Sequence, residues 1–301
     1  MRVGAFECSV FILAAVASCS KGGGRRPEEP TTIATVGHDV REILPVGGRI
    51  YLVEPKAITE LVGGKPRVVA EVPGLVVGAA TEGDSLYWSE GEPSEIHRVR
   101  AGGERTTING GGWIAVRGVT LVRTLPELTL SDLDGGNPRV IPEVRPFGAI
   151  VVDDDFIYWN KVGAWVRVNR RGGDEGQLVA GPSSSPHCPA RIEGRFLYWI
   201  SAQGGGLYRA PLEGEDEAEL LVPRTRYFTA LGGVLYWVDG DRQAVYRSAP
   251  TGTGSPTVVV RGRHNIDIIA TDGRSLYWIE DTRLLSLQLP AASSPARPVN
   301  P

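Results

Sequence analysis

Histidine and arginine residues recur at similar distances before tyrosines of this chain, and both side chains can bind ligands or exchange protons with them. Each of the three histidines involved stands 11 to 13 residues before a tyrosine, at Tyr51, Tyr198 or Tyr277. Imidazole exchanges protons near neutral pH, and guanidinium holds anions through several N–H donors. The three histidines are His38, His187 and His264, and Arg145, Arg224 and Arg226 lie in equivalent segments elsewhere in the chain. They are candidates for an anion-binding site or for acid–base catalysis, and the alternative is that they are unrelated solvated loop residues.

Motifs for other site chemistry are missing from the sequence. It contains no Cys-x-x-Cys, no His-Glu-x-x-His and no EF-hand loop, which are the usual signatures of zinc and calcium sites. The three Gly-Gly-Gly runs do not open a helix with a following Lys-Ser/Thr, as a phosphate-binding loop would require. We therefore predict no metal and no cofactor, and we assign no catalytic residue.

The candidate residues must be positioned by a repeat that runs through most of the chain. A Leu/Ile-Tyr-Trp triplet occurs five times and two weaker versions fill the gaps, and successive copies lie 34 to 41 residues apart. The triplets are 86–88, 157–159, 197–199, 235–237 and 276–278, with weaker members at 50–52 and 120–122. Each repeat divides into four short extended runs separated by turn residues, which predicts a four-stranded antiparallel sheet.

Sheets of this kind cannot bury both faces alone, so they stack radially into a β-propeller. We predict an all-β domain over residues 31–290 with seven four-stranded blades. Six blades are the alternative if the first or third repeat is irregular. In a propeller, the segments that cross from one blade to the next surround one mouth of the central channel. The six candidate residues fall in these crossings.

Closure of the ring is expected to use the N-terminal end of the domain. The seventh repeat has three strand-like runs, but its fourth would fall among Ser293, Ser294, Pro295 and Pro298, and proline cannot donate a ladder hydrogen bond. Residues 31–36 precede the first repeat and have strand character. We predict that they supply the outer strand of the last blade.

The anchor sequence resembles a known repeat. Leu235-Tyr236-Trp237-Val238-Asp239 with Tyr246-Arg247, and Leu86-Tyr87-Trp88-Ser89-Glu90 with His97-Arg98, are similar to the YWTD repeats of low-density-lipoprotein-receptor propellers. The resemblance covers roughly residues 34–290. It implies that the acidic residues after the anchors accept backbone hydrogen bonds at turns; these are Glu54, Glu90, Asp239 and Glu280. His97, in a third strand, is expected to be structural.

The first residues differ in character from the rest of the chain. An apolar stretch from Val10 to Ala17 is too short to span a bilayer and predicts a signal peptide over residues 1–18. Val16-Ala17-Ser18-Cys19 resembles a bacterial lipobox, which implies a lipid on Cys19, and the absence of Asp at position 20 implies the outer membrane. Residues 19–30 are predicted to be a flexible tether, and residues 291–301 a disordered tail.

Charge excludes one class of partner. A net charge of −3 and a pI near 5.9, with dispersed arginines, provide no basic surface for nucleic acid. The sequence predicts a membrane-anchored, non-enzymatic binding or scaffolding propeller of the cell envelope, whose partner is a protein or another envelope component. A propeller lyase or hydrolase with its site at the channel mouth is the alternative.

We expect Cys19→Ala to abolish acylation, because the thiol is the attachment point, and to release the protein from membranes. Metabolic labelling with a fatty acid and fractionation at high salt measure both effects. Cys8→Ala is the matched control, since Glu7 before it does not fit a lipobox. Unchanged labelling and fractionation of the Cys19 variant would refute the lipoprotein interpretation.

Overall fold

The structure of the protein is a computed structural model that describes residues 29–100, 103–161, 163–184, 190–213, 217–249 and 255–290. Cys19, His187 and the segments predicted as signal peptide and C-terminal tail lie outside these residues, as does nearly all of the predicted tether. Within the described part of the chain, all regular secondary structure is β, and no helix there is long and apolar enough to cross a membrane.

The strands follow the four-run division of each repeat, with turns at glycine-rich positions. Strand β1 is Thr31–Thr35. The first three blades contain β2 (Glu42–Val46), β3 (Arg49–Glu54), β4 (Ala57–Val62) and β5 (Lys65–Glu71); β6 (Val76–Glu82), β7 (Ser85–Glu90), β8 (Glu95–Arg100) and β9 (Arg105–Asn109); and β10 (Gly111–Arg117), β11 (Thr120–Leu125), β12 (Thr129–Asp132) and β13 (Arg139–Val140).

The remaining blades repeat the pattern. The fourth and fifth contain β14 (Ile150–Val152), β15 (Phe156–Lys161), β16 (Ala164–Asn169) and β17 (Gly176–Ala180), then β18 (Ala190–Glu193), β19 (Phe196–Ile200), β20 (Leu207–Pro211) and β21 (Glu219–Val222). The sixth contains β22 (Phe228–Leu231), β23 (Val234–Val238), β24 (Val245–Ser248) and β25 (Thr257–Val260), and the chain ends in β26 (Ile266–Thr271), β27 (Ser275–Glu280) and β28 (Arg283–Gln288).

The strands form seven four-stranded antiparallel sheets in a ring, which confirms the predicted seven-bladed propeller. The six-bladed alternative is wrong, because the third repeat forms a complete blade although it lacks aromatic anchors. Leu121 and Val122 replace the Tyr-Trp pair there and are fully buried. Apolar side chains at the two alternating positions are thus sufficient for blade packing.

Closure by the N-terminal segment is also confirmed. Strand β1 pairs with β28 in antiparallel register, from Thr31 opposite Ser286 to Thr35 opposite Arg283, and completes the sheet β26-β27-β28-β1. The amide of Val36 continues the contact by donating to the carbonyl of Thr282 at 2.8 Å. The first described strand therefore belongs to the last blade.

The aromatic anchors form the cores between blades. Adjacent residues of a strand point to opposite faces of its sheet. Accordingly, Trp88 packs in a cluster with Leu44 and Tyr51 of the first blade, whereas Tyr87 packs with Ile114 and Leu121 of the third. Both anchors are fully buried. Each second strand therefore joins its blade to both neighbours.

We expect deletion of residues 31–36 to open the ring, because β28 would then expose an unpaired edge and part of a packed face. Aggregation and a lower melting temperature, measured by light scattering and circular dichroism, are the predicted results. Deletion of residues 292–301 is the control and should change neither. If the control deletion unfolds the protein and the first does not, β1 is dispensable for closure.

Candidate functional site in the central channel

The structure describes five of the six predicted site residues, and all five lie in crossings between blades. His38 lies between β1 and β2, and His264 between β25 and β26; the arginines lie before β14 and β22. All five side chains are exposed, and Arg224 approaches Asp241 at 3.9 Å. None of the five lines the described part of the channel wall, and their crossings lie on the face of the ring where the innermost strands begin.

The channel itself is lined by the innermost strands β2, β6, β10, β14, β18, β22 and β26. Its half beside the crossings encloses about 500 Å³ and the opposite half about 780 Å³. The wall of the half beside the crossings is mainly apolar, with Ile43, Ile114, Ile150, Phe228 and Ile269 among its members. The opposite half is more polar and is also lined by the charged residues Glu82, Arg117, Asp153, Asp272 and Arg274. A cavity of this size and lining is typical of small-molecule sites.

One ion pair lies in this apolar channel. Glu42 of β2 and Arg191 of β18 belong to blades on different sides of the ring, and their side chains meet across it at 3.5 Å. Both residues line both halves of the channel, so the pair lies where the halves join. The described charged residues of the half beside the crossings are this pair and Arg41.

Burial determines the protonation of Glu42. About a third of its side chain is accessible, but that surface faces the channel and not open solvent. Desolvation of the carboxylate raises the pKa of Glu42, and the nearby Arg191 guanidinium offsets only part of this rise. The ionised form of Glu42 is therefore held in the channel at a cost.

Three bulges shape the mouth of the channel. The register of the innermost strand shifts between Val76 and Gly78 in β6, between Gly111 and Ile114 in β10, and between Asp267 and Ile269 in β26. The displaced residues Val77, Trp113 and Ile268 all line the channel. Bulges re-aim side chains in this way and are frequent beside functional sites.

Ile268 shows that the bulge in β26 is strained. Its φ is +38°, a conformation that is an outlier for a β-branched residue and costs of order 1–3 kcal/mol. Its neighbour Asp267 forms an ion pair with Arg242, which also donates to the carbonyl of Ile266 at 3.1 Å. These contacts hold the strained segment in place.

Tyr227 brings a neutral hydroxyl to the same mouth. It lines the channel, and burial, followed by the adjacent Asp267 carboxylate, raises its pKa to about 12. The phenol therefore stays protonated at physiological pH and can donate a hydrogen bond.

The acidic residues after the anchors behave as predicted in only one case. Asp239 accepts hydrogen bonds from the backbone amides of Gln243 at 2.7 Å and Ala244 at 3.1 Å. The prediction is wrong for the glutamates, which accept hydrogen bonds from side chains. Glu54 accepts from Thr59 at 2.9 Å, and Glu280 from Arg263 at 2.7 Å. The longer glutamate side chain reaches past the turn to neighbouring side chains.

His97 lies in the second blade among buried polar side chains. Its Nε2 is 3.0 Å from Glu90 and its Nδ1 3.1 Å from the hydroxyl of Thr107. Burial, followed by the charge of Arg105, lowers the pKa of His97. A neutral imidazole fits these two contacts, donating to Glu90 and accepting from Thr107. The residue connects strands, in agreement with its predicted structural role.

The spacing of residues in the sequence did not identify Glu42 and Arg191 as site residues. For Arg191, however, its position opposite an anchor tyrosine could have indicated it. Arg191 pairs with Tyr198, and the equivalent residues opposite the other anchors are uncharged. They are Leu44, Ala80, Val116, Val151, Thr229 and Ala270. A charged residue at this position of an innermost strand indicates a channel function. Among the described residues, no group of three or more His, Cys, Asp or Glu side chains could hold a metal ion.

Comparison with known proteins identifies the fold alone. No family model and no curated protein matches the sequence. A streptogramin B lyase structure matches with TM-score 0.64 and 15% identity over 87% of this chain and 98% of that one. YCF48 bound to D1 peptide matches with 0.62 and 12% over 89% and 98%. BamB from Moraxella catarrhalis matches with 0.52 and 11% over 87% and 100%.

The raised pKa of Glu42 predicts a pH dependence of stability. Between the ordinary pKa near 4.5 and the raised value, the folded protein binds more protons at Glu42 than the unfolded chain, so this contribution to stability falls as pH rises. Glu42→Gln removes it. We expect the stability of the variant relative to wild type to increase as pH rises from 4.5, measured by urea denaturation.

Glu127→Gln, at an exposed position between β11 and β12, is the control and should follow wild type at each pH. A Glu42 variant whose relative stability instead decreases with rising pH would show that Arg191 more than offsets the burial of the carboxylate.

Proposed function

We propose that this protein is a non-enzymatic binding propeller of the cell envelope, anchored to the outer membrane by a lipid on Cys19, and that it binds a protein partner at the crossing face. The observation that carries this proposal is the exposure of apolar side chains on that face. Phe147, between β13 and β14, is 81% exposed. An aromatic side chain in water beside a channel mouth is a feature that binding rather than folding explains.

Further apolar residues extend the surface around Phe147. Leu75 in the crossing before β6 is 48% exposed, and Leu125 at the end of β11 is 50% exposed. With the channel-lining residues Val77 and Trp113 they form what we call the apolar rim, which spans the second to fourth blades. Apolar patches bordered by polar residues mark interaction sites, and here Arg145 adds charge close to Phe147.

The energetics favour a rim of this kind as an anchor. Burial of one large apolar side chain contributes about 1.5–3 kcal/mol, and buried aromatic residues dominate many interfaces. Val77, Trp113 and Leu125 of the rim belong to strands β6, β10 and β11, so little ordering of these three residues is required on binding. YCF48, a propeller of the same fold, is known in a complex with D1 peptide, which supports a peptide or protein as the class of partner here.

A propeller lyase or hydrolase is the second candidate function. The fold is shared with a streptogramin B lyase, and His38 and His264 lie in successive crossings at the channel mouth. Acid–base catalysis would require these imidazoles to reach the same substrate. Turnover of a streptogramin B by the purified protein, lost in His38→Ala and His264→Ala variants, would contradict the non-enzymatic proposal.

We expect a photo-crosslinking amino acid at position 147 to capture an envelope protein in the lipidated, membrane-bound protein, because Phe147 would be buried in the interface. Position 119 is the matched control: Val119 is 76% exposed but lies in the turn between β10 and β11, on the opposite face. Mass spectrometry of crosslinked bands measures both.

The proposal requires a band specific to position 147 that is lost when Leu75 and Leu125 are both changed to Ser. Equal bands from positions 147 and 119, or a band from position 119 alone, would show that the crossing face is not the docking surface.

A further inference from the structure

We propose that the middle of the central channel binds a small organic anion, a carboxylate on an apolar body, which Arg191 holds in exchange for Glu42. This site lies inside the ring and not on the apolar rim, so it does not depend on what the rim binds.

In the half of the channel beside the crossings, the charged residues favour an anion over a cation. In the described wall beside the crossings, Arg41 and Arg191 face one carboxylate, that of Glu42, and no other acidic residue. The remaining titratable residue there, Tyr227, is a neutral donor. An anion entering from this mouth therefore meets a net positive charge. The described lining of the opposite half has four acidic residues and three arginines, so the positive end of the channel is the one beside the crossings.

The Glu42–Arg191 pair leaves capacity for a ligand. A guanidinium carries five N–H donors and suits two-point contact with a carboxylate, whereas Glu42 reaches Arg191 through a contact of 3.5 Å. Desolvation already disfavours the ionised Glu42, and about two fifths of the Arg191 side chain is accessible, so a ligand can reach the guanidinium. A ligand carboxylate with better geometry can therefore take the place of Glu42 on Arg191.

The walls specify the rest of the ligand. Ile43, Ile114 and Ile150 border the pair, and Phe228 and Ile269 lie closer to the crossings. These side chains can cover an alkyl or aryl group, and a space of about 500 Å³ admits a small molecule but no folded domain. The apolar lining and the size of the cavity together favour a narrow monocarboxylate.

Octanoate is the probe that tests this site, with octan-1-ol as its uncharged match. Isothermal titration calorimetry on the purified protein should show one octanoate bound per chain and clearly weaker binding of octanol. We expect Arg191→Met to weaken octanoate about tenfold or more, as loss of a charged hydrogen-bond donor implies. Glu42→Gln should strengthen octanoate binding several-fold, because it removes the competing carboxylate.

Arg195→Met is the matched control. Arg195 lies four residues from Arg191 in the same blade, in an exposed turn where it pairs with Glu213 at 2.9 Å, so this variant removes the same charge outside the channel and should leave octanoate binding unchanged. Arg191→Lys retains the positive charge but loses the two-point contact of a guanidinium, so it should bind octanoate with intermediate affinity. Thermal melting followed by circular dichroism shows whether each variant is folded.

Three outcomes would overturn the proposal. Equal affinity for octanoate and octanol would show that the channel is only an apolar cavity. Weaker octanoate binding in Glu42→Gln would show that Glu42 supports the ligand and does not compete with it. Equal loss in the Arg191 and Arg195 variants would show that net charge, and not the guanidinium in the channel, determines affinity.

Discussion

Every blade of this protein has two apolar faces, and only the neighbouring blades can cover them. The alternation of side chains along the second strand places Tyr87 against one neighbour and Trp88 against the other, and the same arrangement recurs around the ring. A blade is therefore not a unit that could be stable alone. An open ring would leave two apolar faces in water, which is why the sheet that joins the two ends of the domain matters to all seven blades.

The ring leaves a channel whose walls must satisfy two demands. The innermost strands provide apolar side chains to the cores between blades, and the same strands border the channel. Polar residues on them are therefore costly unless they serve a purpose, since an unpaired charge in such a place loses its hydration. Glu42 and Arg191 are the two charged residues that line both halves of the channel, and they meet each other only because the ring brings the first and fifth blades face to face.

The β-bulges and the strained backbone of the innermost strands lie at one end of this channel. The bulges at Val77, Trp113 and Ile268 lie in innermost strands near the crossings, and the positive φ of Ile268 is retained by the contacts of Asp267 and Arg242. The exposed Phe147 belongs to the same face. The opposite face carries the tight turns within blades, where glycines such as Gly83 adopt a positive φ. The molecule thus has one face that carries the crossings, the bulges and the exposed Phe147, and one made mainly of turns.

Much of the architecture was predictable because it follows from local patterns. Spacing of the Tyr-Trp anchors determines seven blades, and the prolines at 295 and 298 indicate that the tail cannot supply the last strand, so Thr31–Thr35 must do so. The repeat spacing also places His38, Arg145 and His264 in crossings, because a crossing occupies a fixed place in each repeat.

The site within the ring was decided only by tertiary structure. Glu42 and Arg191 are 149 positions apart in the numbering, and nothing local indicates that they would meet, whereas closure of the ring makes them neighbours. Tertiary contacts also determined that Asp239 caps a turn while Glu280 binds Arg263 of a crossing and Arg283 of β28. By itself the sequence indicated which residues form strands and favoured seven blades over six, since both depend on short-range periodicity. The complete third blade in the structure decided the number. Which side chains share the channel depends on contacts across the ring, and only the folded structure creates them.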